Sequence, residues 1–363
     1  MNALLSKLRK LDWIVFSCIF LLVCFGLVAI YSVTLSTENP DWFNLTKQLI
    51  AFGIGLVLFF TLSLVDFRVF KTYARWFYWS GIILLLLVLL VGVTLRGTRG
   101  WFNLVGFNFQ PIELMKILLI IYLAYYFSKQ RRPLNQLKYL IITGLVTILP
   151  FILTVLQPDF GSALILVLIW FGLVLAIGLA RYQWLSLIVL GVITFLVAWN
   201  FVFVDYQKER VLTFLDSRAD PLGAGYNVTQ SMIAIGSGRL IGRGVGFGSQ
   251  SQLKFLPAAQ TDFIFAVIAE ELGLLGIFLV LGLFFLIFYR LFRLIQRARD
   301  DFGLFLVLGV MLLLFIEMFL NIAVNLGLAP VTGITLPLVS YGGSSLIFTL
   351  AALGLVQSVK IRN

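Results

Sequence analysis

The chain has 363 residues, 61% of them hydrophobic and only 12% charged, with a formal net charge of +11. Soluble domains hold about 45–50% apolar and about 25% charged residues, so this composition excludes a soluble globular protein and predicts a polytopic membrane protein with no room for a separate soluble domain. The chain contains no histidine, which removes imidazole bases, Ser-His triads and His-ligated metals from the possible chemistry.

The first apolar run, Trp13 to Val33, has spanning length and no small-residue cleavage pattern, so it reads as a membrane helix and not as a cleaved signal. Cys18 and Cys24 lie six residues apart on that one helix, too far to bridge, and read as small packing residues. Further runs of about 20 apolar residues follow. Ten spans are predicted, near 13–34, 48–65, 76–95, 110–127, 138–156, 160–179, 183–204, 262–289, 303–326 and 340–358. The expected fold class is an all-α polytopic membrane protein, a single integral membrane domain over 1–363.

Basic residues collect in alternate connections: Lys7, Arg9 and Lys10 before the first span, Arg68, Lys71 and Arg75 after the second, Lys129, Arg131, Arg132 and Lys138 after the fourth, and Arg290, Arg293, Arg297 and Arg299 after the eighth. This asymmetry places both termini in the cytoplasm and turns the loops 96–109, 205–261 and 327–339 outward. The excess charge is therefore topological, and no nucleic-acid partner is expected.

The large loop 205–261 between spans 7 and 8 is too long to be a plain connection. Val228 to Ile235 predicts a helix lying on or dipping into the bilayer, followed by Gly236, Gly238, Gly242, Gly244, Gly246 and Gly248. Neither a Walker loop nor a dinucleotide fingerprint fits these glycines. Two readings stand: flexible turns, or positions where backbone approaches a ligand.

Polar residues inside or beside spans carry the functional argument. Glu113 and Lys116 are three apart on the fourth span and share a face, either as a helix-ordering ion pair or as a charged pair lining an aqueous cavity. Asp159 sits in the tight turn before span 6, as a turn residue or a substrate contact. Arg210 follows span 7, as an interfacial anchor or as a guanidinium for a phosphate group. Asp262 stands at the mouth of span 8, as a helix cap or as a functional acid. Asp262, Ala266 and Glu270 follow at i, i+4 and i+8, which predicts a carboxylate stripe running into the bilayer, with Glu270 or Glu271 tying down a neighbouring helix. Glu317 and Asn321 share a face of span 9 and are expected to hydrogen-bond between helices.

Six segments in order resemble the SEDS family, the RodA, FtsW and SpoVE proteins of bacterial cell-wall synthesis. They are Gln110-Pro-Ile-Glu-Leu-Met-Lys116, Gln157-Pro-Asp-Phe-Gly-Ser162, Asp220-Pro-Leu-Gly-Ala-Gly-Tyr-Asn227, Ile233-Ala-Ile-Gly-Ser-Gly238, Phe255 to Gly273, and Pro330 to Ser345. The short tails and the segments at 220–227 and 336–341 lean toward the RodA-like, elongation branch. One departure stands out: Gln260 occupies a position where relatives often carry histidine.

The resemblance implies a peptidoglycan glycosyltransferase that polymerises lipid II on the outer face of the cytoplasmic membrane, working with a class B penicillin-binding protein. It maps the family's catalytic aspartate onto Asp262 and the conserved acid and lysine of the fourth span onto Glu113 and Lys116. With no histidine present, Asp262 is the expected general base. Arg210, with Glu113, Lys116 and Asp159, is expected to hold the substrate, and a divalent cation (Mg or Mn) shared with Asp262 is a further candidate. No organic cofactor is expected. The alternatives are a lipid II flippase using Glu113, Lys116 and Glu270 as a polar path, an FtsW-like division protein of the same family, and a non-catalytic scaffold.

Overall fold

A computed structural model describes residues 2–35, 42–95, 97–104, 107–129, 137–178 and 224–363, with single positions between 185 and 214. In chain order the helices are α1 (Asn2–Arg9), α2 (Trp13–Thr34), α3 (Phe43–Leu64), α4 (Phe67–Thr72), α5 (Ala74–Val91), α6 (Pro111–Ser128), α7 (Leu137–Val155) and α8 (Phe160–Ile177). After the undescribed stretch come α9 (Ala224–Ser237), α10 (Ser249–Gln252), α11 (Ile264–Gln296), α12 (Asp301–Asn325) and α13 (Gly343–Arg362).

Eight of these helices are long and apolar enough to cross a membrane, and α7 is a further, shorter apolar helix. Together they account for every predicted span except 183–204, which lies outside the described residues, as does Arg210. Helices form here because hydrocarbon offers the backbone no hydrogen-bond partner but itself. Local signals set the ends. Pro111 occupies the first turn of α6, where its missing N–H costs nothing. Asp12 caps α2 by accepting from Val15 N at 3.3 Å.

The segment 93–109, read from the sequence as the end of a span followed by the loop 96–109, departs from an all-α fold. It carries a three-stranded antiparallel sheet, β1 (Val93–Leu95), β2 (Thr98–Leu104) and β3 (Phe107–Phe109). Phe102 pairs with Phe109 and Leu104 with Phe107. Aromatic and β-branched residues around tight turns favour strands, and the segment is too short to span.

α6 and α13 are the most enclosed spans, α6 lying against α5 and α12, and α13 running along α3. Two ends of the bundle differ in chemistry. One is tied by ion pairs between helix ends: Arg290 with Asp12 at 2.7 Å, Lys71 with Asp300 at 3.2 Å, and Arg362 with Asp66 at 3.4 Å. The other carries the sheet, the turn at 260–263 and the loop 327–342.

α11 is not the unbroken run its composition predicts. Gly273 adopts φ 64° and ψ −158°, which interrupts the helix. An interruption within a span leaves peptide groups unpaired in hydrocarbon, at several kcal/mol each. Backbone from the loop before α11 fills the gap. Arg243 N and Gly244 N donate to the carbonyls of Glu270 and Glu271 at 3.0 and 2.9 Å, while Leu274 N and Leu275 N donate to Arg239 and Leu240 at 3.0 and 3.3 Å. Gly238 and Gly242 make this approach possible, since a Cβ at either would overlap the backbone of Ala269 or Glu271. Close backbone approach is thus what these loop glycines serve, with the helix as the partner.

Candidate active site

Asp262 lies in the turn that precedes α11, and its main chain is held from two sides. The helix starts at Ile264, with Phe263 at the N-cap and no side-chain cap bond, so Asp262 is not the capping residue. α12 supplies the capping group instead, since Asn325 Oδ1 accepts from Ala266 N at 3.2 Å. Asn321 and Asn325 each donate from Nδ2 to the Asp262 carbonyl at 2.9 Å, and Asn321 also reaches Ile334 O at 2.8 Å. From the other side Ser340 Oγ donates to Thr261 O at 2.6 Å and Tyr341 N to Gln260 O at 2.8 Å. The Asp262 side chain is half-buried and faces the 327–342 loop, with Oδ2 3.9 Å from where a Cβ on Gly333 would stand.

Gln260 uses both ends of its amide. Asn44 Nδ2 donates to its Oε1 at 2.8 Å, and its Nε2 donates to Thr34 Oγ1 at 3.3 Å. This one side chain ties α2 and α3 to the turn that carries Asp262.

Glu317 lies one turn before Asn321 on α12, about 6 Å along the axis. Lys116 Nζ donates to Glu113 at 2.8 Å and to Glu317 Oε1 at 2.5 Å. Lys116 and Glu317 are each 2% exposed. Helical spacing pairs Glu113 with Lys116, and Glu317 with Asn321. The fold joins the two pairs, so a single ammonium faces two carboxylates between α6 and α12. Sequence reading gives Glu317 only a bond to a neighbouring helix, although an acid in the middle of span 9 is the signal that could have found its place in this cluster.

Asp159 is the N-cap of α8. Its Oδ1 accepts from Ser162 N at 3.0 Å, and its Oδ2 from Ser162 Oγ at 2.8 Å and Gln110 Nε2 at 3.2 Å. Burial pushes its carboxyl above the usual carboxylate range, against the Ser162 bonds, which lower it. Gln110, just before α6, brings Asp159 to the same end of the bundle as Glu113.

The loop 330–334 runs between these groups. Gly161, beside Asp159, would meet Thr332 O and the Ile334 side chain if it carried a Cβ, and Gly333 faces Asp262. Asp159 and Asp262 therefore bracket one loop, while Glu113 and Lys116 are joined to Glu317 on α12, and Arg210 is outside the described residues. Thr332 Oγ1 is buried there without a hydrogen-bond partner among the described residues, an unsatisfied polar atom that sequence reading missed.

The predicted carboxylate stripe is not an open one. Glu270, fully buried, accepts from Gln250 N at 2.8 Å, Ser251 N at 3.1 Å and Ser249 Oγ at 3.4 Å. Glu271 accepts from Ser32 Oγ and from Gly246 N at 3.2 Å. Both acids are occupied with the loop before α11, and Glu271 also reaches α2. Among the described residues no group of three or more acidic or thiol side chains gathers as metal ligands.

A family model described as a cell cycle protein family, FtsW/RodA/SpoVE, matches residues 12–363. The Escherichia coli peptidoglycan glycosyltransferase MrdB is 39% identical over 325 residues, which cover 89% of this chain and 87% of that protein. A probable peptidoglycan glycosyltransferase FtsW of a Geobacter species is 36% identical over 373 residues, covering 99% of each. Among solved structures, a chain of a peptidoglycan synthase complex that coordinates polymerization and crosslinking superposes with a TM-score of 0.81 at 36% identity, covering 96% of this chain and 97% of that one. The rod shape determining protein RodA of Thermus thermophilus gives 0.71 at 32% identity, covering 96% of each. With eight helices long and apolar enough to cross a membrane, and a family match running nearly end to end, this chain is an integral membrane protein of the FtsW/RodA/SpoVE family.

Proposed function

We propose that this chain polymerises lipid II into glycan strands on the outer face of the bacterial cytoplasmic membrane, with Asp262 as general base. The protein is a peptidoglycan glycosyltransferase of cell-wall synthesis by its relatives; the substrate, the base and the orientation are the proposed part. The basic end of the bundle faces the cytoplasm by its charge, which turns the Asp262 end outward.

In the reaction the acceptor sugar's 4-hydroxyl attacks the anomeric carbon of the donor. The new C–O bond forms as the bond to the pyrophosphate oxygen breaks, the hydroxyl proton passes to the Asp262 carboxylate, and polyprenyl pyrophosphate leaves. The observation that carries this reading is the way Asp262 is held: Asn321 and Asn325 fix its main chain while the residue is only partly buried. A preorganised base needs a rigid main chain and an accessible side chain. Arg210 would meet the pyrophosphate, and a divalent cation held by Asp262 and that pyrophosphate would add charge stabilisation. Lys116 is engaged by two carboxylates, so its role is to shape the floor of the site.

A flippase is a weaker reading, because Glu270, one of the three residues its polar path requires, is enclosed by loop backbone. Purified Asp262→Ala and Asp262→Asn, supplied with a class B penicillin-binding protein and lipid II, are expected to lose polymer formation by about 10²–10⁴-fold. Elution and melting should stay like the parent's. Wild-type rates in either variant would remove Asp262 from the role. The proposed cell process is elongation and shape. Depletion should give round cells, and filaments would assign the division branch instead.

A further inference from the structure

The opposite end of the bundle carries a second feature that the glycosyl-transfer reading does not use. Two adjoining cavities, about 530 and 430 Å³, share Asp12, Arg290, Lys360 and Asn363 as a common wall. Arg9, Lys10, Trp13 and Ile14 complete the first, and Arg293, Arg297 and Arg299 the second. Asp12 is the acidic side chain among them, and it is spent: Arg290 binds its Oδ2 at 2.7 Å and Val15 N binds its Oδ1. Arg9, Lys10, Arg293, Arg297, Arg299 and Lys360 form no ion pair among the described residues. Asn363 Nδ2 is buried without a hydrogen-bond partner among those residues.

Alternating loop charge explains why cations lie on this side. It does not explain why three chain segments gather them around one concavity with their acidic neighbour already neutralised. The apolar rim indicates what sort of anion fits. Trp13 and Ile14, at the start of α2, are 49% and 50% exposed and line the same cavity. A ligand with a charged head and a hydrocarbon body would satisfy both surfaces at once. We propose that this basic pocket is a binding site for the phosphate headgroup of an anionic phospholipid, with the acyl chains lying along the exposed start of α2.

Native mass spectrometry of the purified full-length protein, given equal phosphatidylglycerol and phosphatidylethanolamine in detergent, tests this. Phosphatidylglycerol should be retained in preference. The triple variant Arg293→Gln, Arg297→Gln, Lys360→Gln should bind it on the order of a hundredfold more weakly, since each cation near an anionic lipid contributes about fivefold. A control triple that removes the same charge from Arg68, Arg75 and Lys129, none of which lines either cavity, should bind like the parent. Equal retention of the two lipids, or equal loss in both triples, would overturn the site. Displacement of the lipid by millimolar inorganic pyrophosphate would reassign the pocket to a soluble anion. Lipid retention is read without any glycosyl transfer, so the result stands apart from the fate of Asp262.

Discussion

Glu113 with Glu317, and Glu270 with Glu271, are two pairs of carboxylates buried in one helical bundle and made tolerable in different ways. The first pair shares an ammonium, Lys116, carried on the same span as Glu113 and facing Glu317 across the helix interface. The second pair forms no ion pair among the described residues; backbone N–H groups and serine hydroxyls of α2 and the outer loop satisfy it. Charge neutralisation locks helix to helix, whereas amide donation locks loop to helix. A buried acid in a span therefore does not by itself mark chemistry. What surrounds it decides, and Asp262 differs from all four because its main chain is restrained while the residue is only partly buried.

The sharpest way to break this contrast is to remove the shared cation. Lys116→Met leaves two acids facing each other in the bundle, and breaking a buried ion pair costs about 3–5 kcal/mol. Melting in detergent, followed by fluorescence-detected size exclusion, should show most of the folded protein lost. A variant as stable as the parent would mean that the ammonium is not what makes Glu113 and Glu317 tolerable. The amide-satisfied pair should respond locally instead. Glu270→Ala strands the N–H groups of Gln250 and Ser251 at about 1–3 kcal/mol, so limited proteolysis between 243 and 254 should speed up roughly tenfold while the bundle still melts cooperatively.

Smaller effects sharpen the Asp262 side of the comparison. Asn325→Ala removes one of two donors to the Asp262 carbonyl and the acceptor for Ala266 N. Polymerisation should fall about tenfold, corresponding to about 1.4 kcal/mol, with little change in melting. A large stability loss with normal specific activity would make Asn325 a packing residue only. The mildest change is Gln260→His. A neutral imidazole also presents one donor and one acceptor, so activity should stay within a few-fold, whereas Gln260→Leu should lose the ties to both Thr34 and Asn44.

Much of the helical frame was legible in the sequence because hydropathy over about 20 residues is a strong signal. Pro111 marks the start of α6 by known local chemistry. Glu113 and Lys116 were legible as a pair because they are three apart on one helix. The link from Lys116 to Glu317 was not, because the two are 201 residues apart and periodicity along one helix cannot report a neighbour. The break at Gly273 was hidden for a similar reason. A single glycine in an apolar run reads as continuous helix, and the groups that repair it come from the loop some 30 residues upstream. Trp101, Phe102 and Phe109 could have signalled the small sheet, but a span-seeking reading treats short connections as featureless.

The interruption of α11 has a practical meaning for engineering. Because residues 239–244 complete the backbone hydrogen bonding of residues 270–275, the outer loop and the first half of that helix make up one inheritable module. A chimaera that swaps the loop between relatives while keeping the native helix would mismatch that seam. Functional exchanges should cut before α9 and after Gly276, and transplant everything between.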